Sequence, residues 1–158
     1  MKFCDFIKIE AIQAELQATD KDGVIRELVD GLIATGQIKS EEKESIVQSI
    51  MKREELGSTG IGRGIAVPHT KHASVDRLIG AVGVSTKGVD FQSLDGDVVQ
   101  LFFLLISPPD RPADHLRALE NISRRLRDDT FCRFLKQSKT ADDINQLLEE
   151  ADNNQFVS

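Results

Sequence analysis

The sequence predicts an α/β fold, a central sheet with helices packed around it. Two observations carry that reading. Stretches with apolar residues at helical spacing alternate along the chain with short strand-like stretches, the order expected of an α/β domain. The segment 98–106, Val-Val-Gln-Leu-Phe-Phe-Leu-Leu-Ile, is apolar except for Gln100. A strand covered on both faces has this composition.

In chain order, residues 12–18 alternate apolar and polar, the period of a half-buried strand. Thr19 and Asp20 offer N-caps for a helix whose buried face is Val24, Ile25, Leu28, Val29, Leu32 and Ile33, with Gly36 placed to end it. Ser40, followed by Glu41 and Glu42, starts a second helix with acids where the dipole favours them. Ile46, Val47, Ile50 and Met51 form its apolar face, and Gly57 closes it. Residues 65–67 and 78–85 read as strands, and Asp95-Gly96 is a turn signal before the long apolar strand. Residues 110–126 form a helix with Pro112 in the first turn, where proline is tolerated. Its stripe is Leu119, Ile122 and Leu126, and one turn before Leu119 lies His115. A short helix around 131–135 follows. Thr140 with Asp143 caps a last helix that buries Ile144, Leu147 and Leu148, and the tail from Asn153 is expected to fray.

A chain of 158 residues suits one domain with a real core. The domain is expected over residues 6–151, with 152–158 a short tail. The net charge of −6 argues against a nucleic-acid partner, which needs a basic face. Two distant cysteines, Cys4 and Cys132, make no disulfide framework and fit a reducing compartment. The N-terminus reads without a signal peptide, and the longest apolar run is far too short to span a bilayer. A cytoplasmic protein without membrane insertion is expected.

Chemistry concentrates in Gly57-Ser-Thr-Gly-Ile-Gly-Arg-Gly-Ile-Ala-Val-Pro-His69. Glycines let a backbone approach a ligand, and Pro68 fixes the chain beside one imidazole. Three chemistries compete for it. His69, His72 and His115 could form a zinc site, although no acidic or cysteine ligand accompanies H-x-x-H. Ser58, Ser74 or Ser107 could pair with a histidine for hydrolysis, although no G-x-S-x-G elbow exists. Alternatively, His69 is a nucleophile toward phosphorus. Phosphoryl transfer asks chiefly for positioning and charge stabilisation. The donors are near in sequence: glycine amides, the Ser58 and Thr59 hydroxyls, the Arg53 guanidinium, and the N-terminus of the helix bearing His115. The loop has no G-K-[ST], so nucleotide binding is not supported. Each residue also has a plainer reading: His115 as packing, Arg53 as a solvated charge, His72 as an exposed side chain.

The run Arg53-x-x-x-x-Ser58-Thr-Gly-Ile-Gly-x-Gly-Ile-Ala-Val-Pro-His69 resembles the signature of the fructose/mannitol-type enzyme IIA domains of the bacterial phosphoenolpyruvate-dependent phosphotransferase system (PTS). The resemblance continues through Gly88-Val-Asp-Phe-Gln-Ser-Leu-Asp-Gly, residues 99–108, His115-Leu-x-x-Leu and Ala141-Asp-Asp-Ile-x-x-Leu-Leu. It covers nearly the whole chain and looks most like the nitrogen-regulatory IIA branch. It implies a mixed central sheet sandwiched by helices (α/β/α). It implies that His69 accepts a phosphoryl group, through Nε2, from an HPr-type phosphocarrier. It implies that His115 lies beside His69 and hydrogen-bonds the phosphoryl group, and that Arg53 neutralises it. Ser58 and Thr59 match the stretch near that site as phosphate-binding candidates. Arg63 and Thr70 depart from the branch pattern, where a small or amide residue and a glycine are common.

The function so implied is a phosphocarrier whose phosphorylation state other proteins read, with no cofactor and no metal. No IIB or membrane IIC segment is seen in this sequence. The alternatives are a sugar-transport IIA that passes phosphate to a separate IIB partner, and a binding module without phosphotransfer.

Overall fold

The computed structural model describes residues 1–154. Six strands form one sheet in the order β1-β5-β6-β3-β2, with β4 also on β6. These are β1 (Ile7–Gln13), β2 (Gly60–Gly62), β3 (Ile65–Ala66), β4 (His69–Lys71), β5 (Ile79–Val89) and β6 (Val99–Ser107). The sheet is mixed. β1 runs parallel to β5, β5 antiparallel to β6, and β3 and β4 parallel to β6. The helices are α1 (Lys21–Ala34), α2 (Lys43–Glu55), α3 (Pro112–Arg125), α4 (Asp129–Gln137) and α5 (Ala141–Asp152).

β6 explains the layering. Leu101, Phe103 and Leu105 join a core with Ala118, Ile122, Phe131, Ile144 and Leu148 of α3, α4 and α5. Phe102, Leu104 and Ile106 join a second core with Val24, Leu28, Ile46 and Ile50 of α1 and α2. Period-two alternation sends successive side chains to opposite faces, and both faces are apolar because both are covered.

The caps fall where the local chemistry requires them. Asp20 accepts from the Gly23 N–H at 2.8 Å to start α1, and Gly36 leaves its end at φ 79°. A short 3₁₀ turn, Ser40–Glu42, precedes α2. Pro112 occupies the first turn of α3, and Thr140 accepts from the Asp143 N–H to start α5. The Asp95-Gly96 turn forms, with Gly96 at φ 78°.

The first strand lies earlier than expected, at residues 7–13 rather than 12–18. After Gln13 the chain leaves the ladder, although the Leu16 N–H still reaches the Val84 carbonyl at 2.8 Å. The Gln17 and Ala18 N–H groups are instead taken by the Glu27 carboxylate of α1. That segment is extended chain laid over a helix. The short strands β2 and β4, unanticipated, flank β3. β2 and β3 form a hairpin whose two loop residues, Arg63 and Gly64, have φ 58° and 76°. Positive φ at both positions is what a type I′ turn demands, and Asn-Gly is its preferred pair. Arg63 therefore stands where an amide residue would be less strained. Asn153 and Asn154 follow α5, and Asn154 Oδ1 accepts from Arg125 at 2.8 Å. The rest of the tail expected to fray lies outside the described residues.

Candidate active site

His69 opens β4, just after the fixed kink of Val67-Pro68. The Leu105 N–H donates to the Pro68 carbonyl at 3.0 Å, and the Val67 N–H donates to the Thr59 carbonyl at 3.1 Å. The approach to the histidine is thus held from both sides. The ring is held as well: His69 Nδ1 lies 2.8 Å from the Val67 carbonyl oxygen. A carbonyl only accepts, so Nδ1 carries the proton and Nε2 keeps its lone pair. His69 pairs in register with Leu105, which places it on the α3 face of the sheet.

There it meets His115, in the first turns of α3. The two ring centroids are 5.6 Å apart. His115 is 8% exposed, and its Nδ1 lies 2.5 Å from Ser107 Oγ at the end of β6. Arg53 reaches the same place from the last turn of α2, with Nη1 donating to the Gly57 carbonyl at 2.9 Å. Together with Thr70, Lys71 and Leu119, these three residues line an open cleft of about 510 Å³. A second cleft of about 450 Å³, lined by residues that include Lys8, Lys39 and Arg77, contains no histidine or cysteine.

The electrostatics of the cleft keep both rings neutral. Burial pushes the His69 pKa down, and the Arg53 charge adds to this, against an opposing contribution from its bond to Val67. Burial also lowers His115, to about 4, with smaller contributions from His69 when that ring is protonated and from the Lys71 charge. A neutral ring with an exposed lone pair is a nucleophile. Two cations and a second imidazole beside it suit an anionic electrophile.

The remaining candidates lie elsewhere. Thr59 is buried, its hydroxyl and N–H both bonded to the Glu54 carboxylate. The Ser58 hydroxyl donates to the Phe91 carbonyl at 2.8 Å. These two side chains support the loop and do not line the cleft. His72 is not simply exposed: Nε2 lies 2.8 Å from Ser45 Oγ, while Nδ1 accepts from the Ser74 N–H at 3.1 Å. Both its nitrogens are occupied, so the three histidines do not converge on a metal. Among the described residues no group of three or more metal-ligating side chains occurs. Arg63 points to the other end of the molecule, where it binds Asp129 at 2.7 Å and the Leu126 carbonyl at 2.5 Å. Thr70 lines the cleft, but its hydroxyl lies against that of Ser49, with 2.5 Å between the two oxygens. Sequence reasoning missed Lys71. Its position in the cleft follows from the pairing of β4 with β6, and no local pattern announces it.

Among the described residues no helix is long and apolar enough to cross a membrane. The family described as "Phosphoenolpyruvate-dependent sugar phosphotransferase system, EIIA 2" matches residues 5–151. A nitrogen regulatory protein of Bradyrhizobium diazoefficiens is 32% identical over 148 residues, which are 94% of this chain and 95% of that protein. The fructose-specific EIIABC component of the PTS system of Bacillus subtilis is 32% identical over 152 residues, 96% of this chain but only 24% of that protein. The crystal structure of nitrogen regulatory protein IIA-Ntr from Neisseria meningitidis superposes with a TM-score of 0.82 at 25% identity, covering 91% of this chain and 97% of that one.

Proposed function

This chain belongs to the EIIA 2 family of the phosphoenolpyruvate-dependent sugar phosphotransferase system, and we propose that it carries its phosphoryl group on His69 Nε2. The observation that carries this reading is the bond from His69 Nδ1 to the Val67 carbonyl, which leaves Nε2 free over a cleft lined by Arg53, Lys71 and His115.

In this reading the donor is a phosphohistidine on an HPr-type carrier. The lone pair of Nε2 attacks phosphorus, and the carrier's P–N bond breaks with its electron pair returning to the carrier's ring. No proton has to move to or from His69, because Nδ1 keeps its hydrogen throughout. The ring becomes cationic as the bond forms, and the Val67 carbonyl faces the side where that charge appears. Arg53 and Lys71, which both line the cleft, offset the charge on the phosphoryl oxygens. His115 donates one hydrogen bond to a phosphoryl oxygen. The site residues are therefore His69, His115 and Arg53, with Ser58 and Thr59 shaping the loop beneath them.

The chain acts as a phosphocarrier whose phosphorylation state other proteins read in the cytoplasm. Its match to nearly the full length of a nitrogen regulatory protein favours that role. The match to one quarter of a fructose-specific EIIABC component supports a second reading, in which phosphate passes to a separate IIB partner.

Incubation with phosphoenolpyruvate, enzyme I and an HPr-type carrier tests the site. Intact mass should show one acid-labile phosphate on the wild type and none on His69→Ala. Uptake by His69→Ala would overturn the assignment. Passage of the label to a purified IIB protein would move the role from regulation toward transport.

A further inference from the structure

We propose that Ser107 is a positioning residue that fixes the tautomer of His115, so that its single N–H is Nε2–H and is available to the phosphoryl group on His69. The inference rests on the phosphotransfer reading above and concerns how this chain prepares His115 for it.

Ser107 is the last residue of β6 and is fully buried. It pairs in register with Lys71, two residues beyond the pair His69–Leu105, so its side chain projects from the same face of the sheet as His69. Its backbone is fixed, because its carbonyl accepts from the His72 N–H at 2.9 Å. Its hydroxyl lies 2.5 Å from His115 Nδ1 and has no other hydrogen-bond partner among the described residues.

That isolation decides the direction of the bond. A serine hydroxyl carries one hydrogen, and a neutral imidazole carries one hydrogen on either nitrogen. If Ser107 donates to Nδ1, its hydrogen is satisfied and the proton of the ring resides on Nε2. If Nδ1 donates to Ser107 instead, the hydroxyl hydrogen is left buried without an acceptor, which is the costly arrangement. The choice matters because phosphoryl oxygens only accept. A neutral His115 with its proton on Nδ1 would turn a lone pair toward the phosphoryl group and repel it. Burial, with the Lys71 charge beside it, keeps His115 neutral, with a pKa of about 4, so it has only this one N–H to place.

The test uses the full chain with ¹⁵N-labelled histidine. Long-range ¹H–¹⁵N spectra at neutral pH assign the tautomer of each ring. Phosphoryl uptake from phosphoramidate and from the phosphorylated carrier is followed in parallel by intact mass. The wild type should show His115 with Nδ1 bare and Nε2 protonated. Ser107→Ala should give a mixture of tautomers and an uptake slowed in proportion to the fraction left with Nε2 protonated, about twofold for an even mixture. Ser107→Thr, which restores the hydroxyl, should recover both readings. A wild-type His115 protonated at Nδ1 overturns the inference, and that spectrum decides it even if Ser107→Ala fails to fold. A Ser107→Ala protein with altered tautomer but wild-type uptake also overturns it. A wild type with the expected tautomer that takes up phosphate from neither donor overturns the phosphotransfer reading, and the tautomer assignment itself then stands.

Discussion

At the scale of the residue, the site works by placing protons. His69 gives its one hydrogen to the Val67 carbonyl, and in the proposed phosphotransfer this selects Nε2 as the nucleophilic atom. The ring must also be neutral, and its pKa is lowered first by burial and then by the Arg53 charge. The sign of the pH dependence follows. An exposed histidine is half protonated near about pH 6.5 and loses its lone pair below that value. His69 stays neutral to more acidic pH, so its phosphorylation by phosphoramidate should hold up where that of a short histidine peptide declines. The ratio of the two rates, measured from pH 8 down to 5.5, should rise as the pH falls. A constant ratio would show that the cleft does not tune His69. Arg53 connects the two requirements, since the charge that depresses protonation of the ring is also the charge offered to a phosphoryl group.

At the scale of the element, α2 anchors the glycine-rich stretch through the residue next to Arg53. Glu54 is buried and accepts from Lys21 Nζ at 3.0 Å, from the Thr59 N–H at 3.2 Å and from the Thr59 hydroxyl. Lys21 also lies over the Phe91 ring, 4.6 Å from its centroid. One carboxylate thus ties α1, α2 and the start of the loop together, one residue from the cation of the site. Removing one partner of a buried ion pair leaves the other uncompensated, typically at a cost of about 3–5 kcal/mol. Lys21→Met should fall near the lower end, about 3 kcal/mol, because Thr59 still bonds Glu54. The double variant Lys21→Met/Glu54→Gln should regain much of that loss in chemical denaturation, and additive losses would argue against the pair. These contacts also mark where the sequence stopped being legible. Helix caps at Asp20 and Thr140 are local chemistry and could be read directly. β2 and β4 have three residues each; β2 pairs only with the two-residue β3, and the partner of β4 lies far along the chain in β6. The alternation at 12–18 was real, but Glu27 of the next helix took the backbone donors a strand would have used. Within the site, the motif exposed His69, Arg53 and His115. Lys71 and the role of Ser107 depend on strand register, which no window of sequence contains.

At the scale of the whole molecule, β6 both joins the two cores and carries the site. Its central residues alternate between a core under α3, α4 and α5 and a core under α1 and α2. The cleft draws on both layers, since Arg53 comes from α2 on one side of the sheet and His115 from α3 on the other. Only the end of the sheet, where β4 lies beside the last residues of β6, brings them within reach of one histidine. The site should therefore not outlast either core. Phe102 and Phe103 are both fully buried, on opposite faces. Phe102→Ala and Phe103→Ala should each cost about 3–5 kcal/mol, the usual range for deleting a buried aromatic ring. Each should unfold in a single transition by circular dichroism, with phosphoryl uptake lost at the same denaturant concentration as the secondary structure. If uptake vanished in one variant while its helices remained folded, the two layers would be separable, and the geometry joining Arg53 to His115 would depend on one core alone.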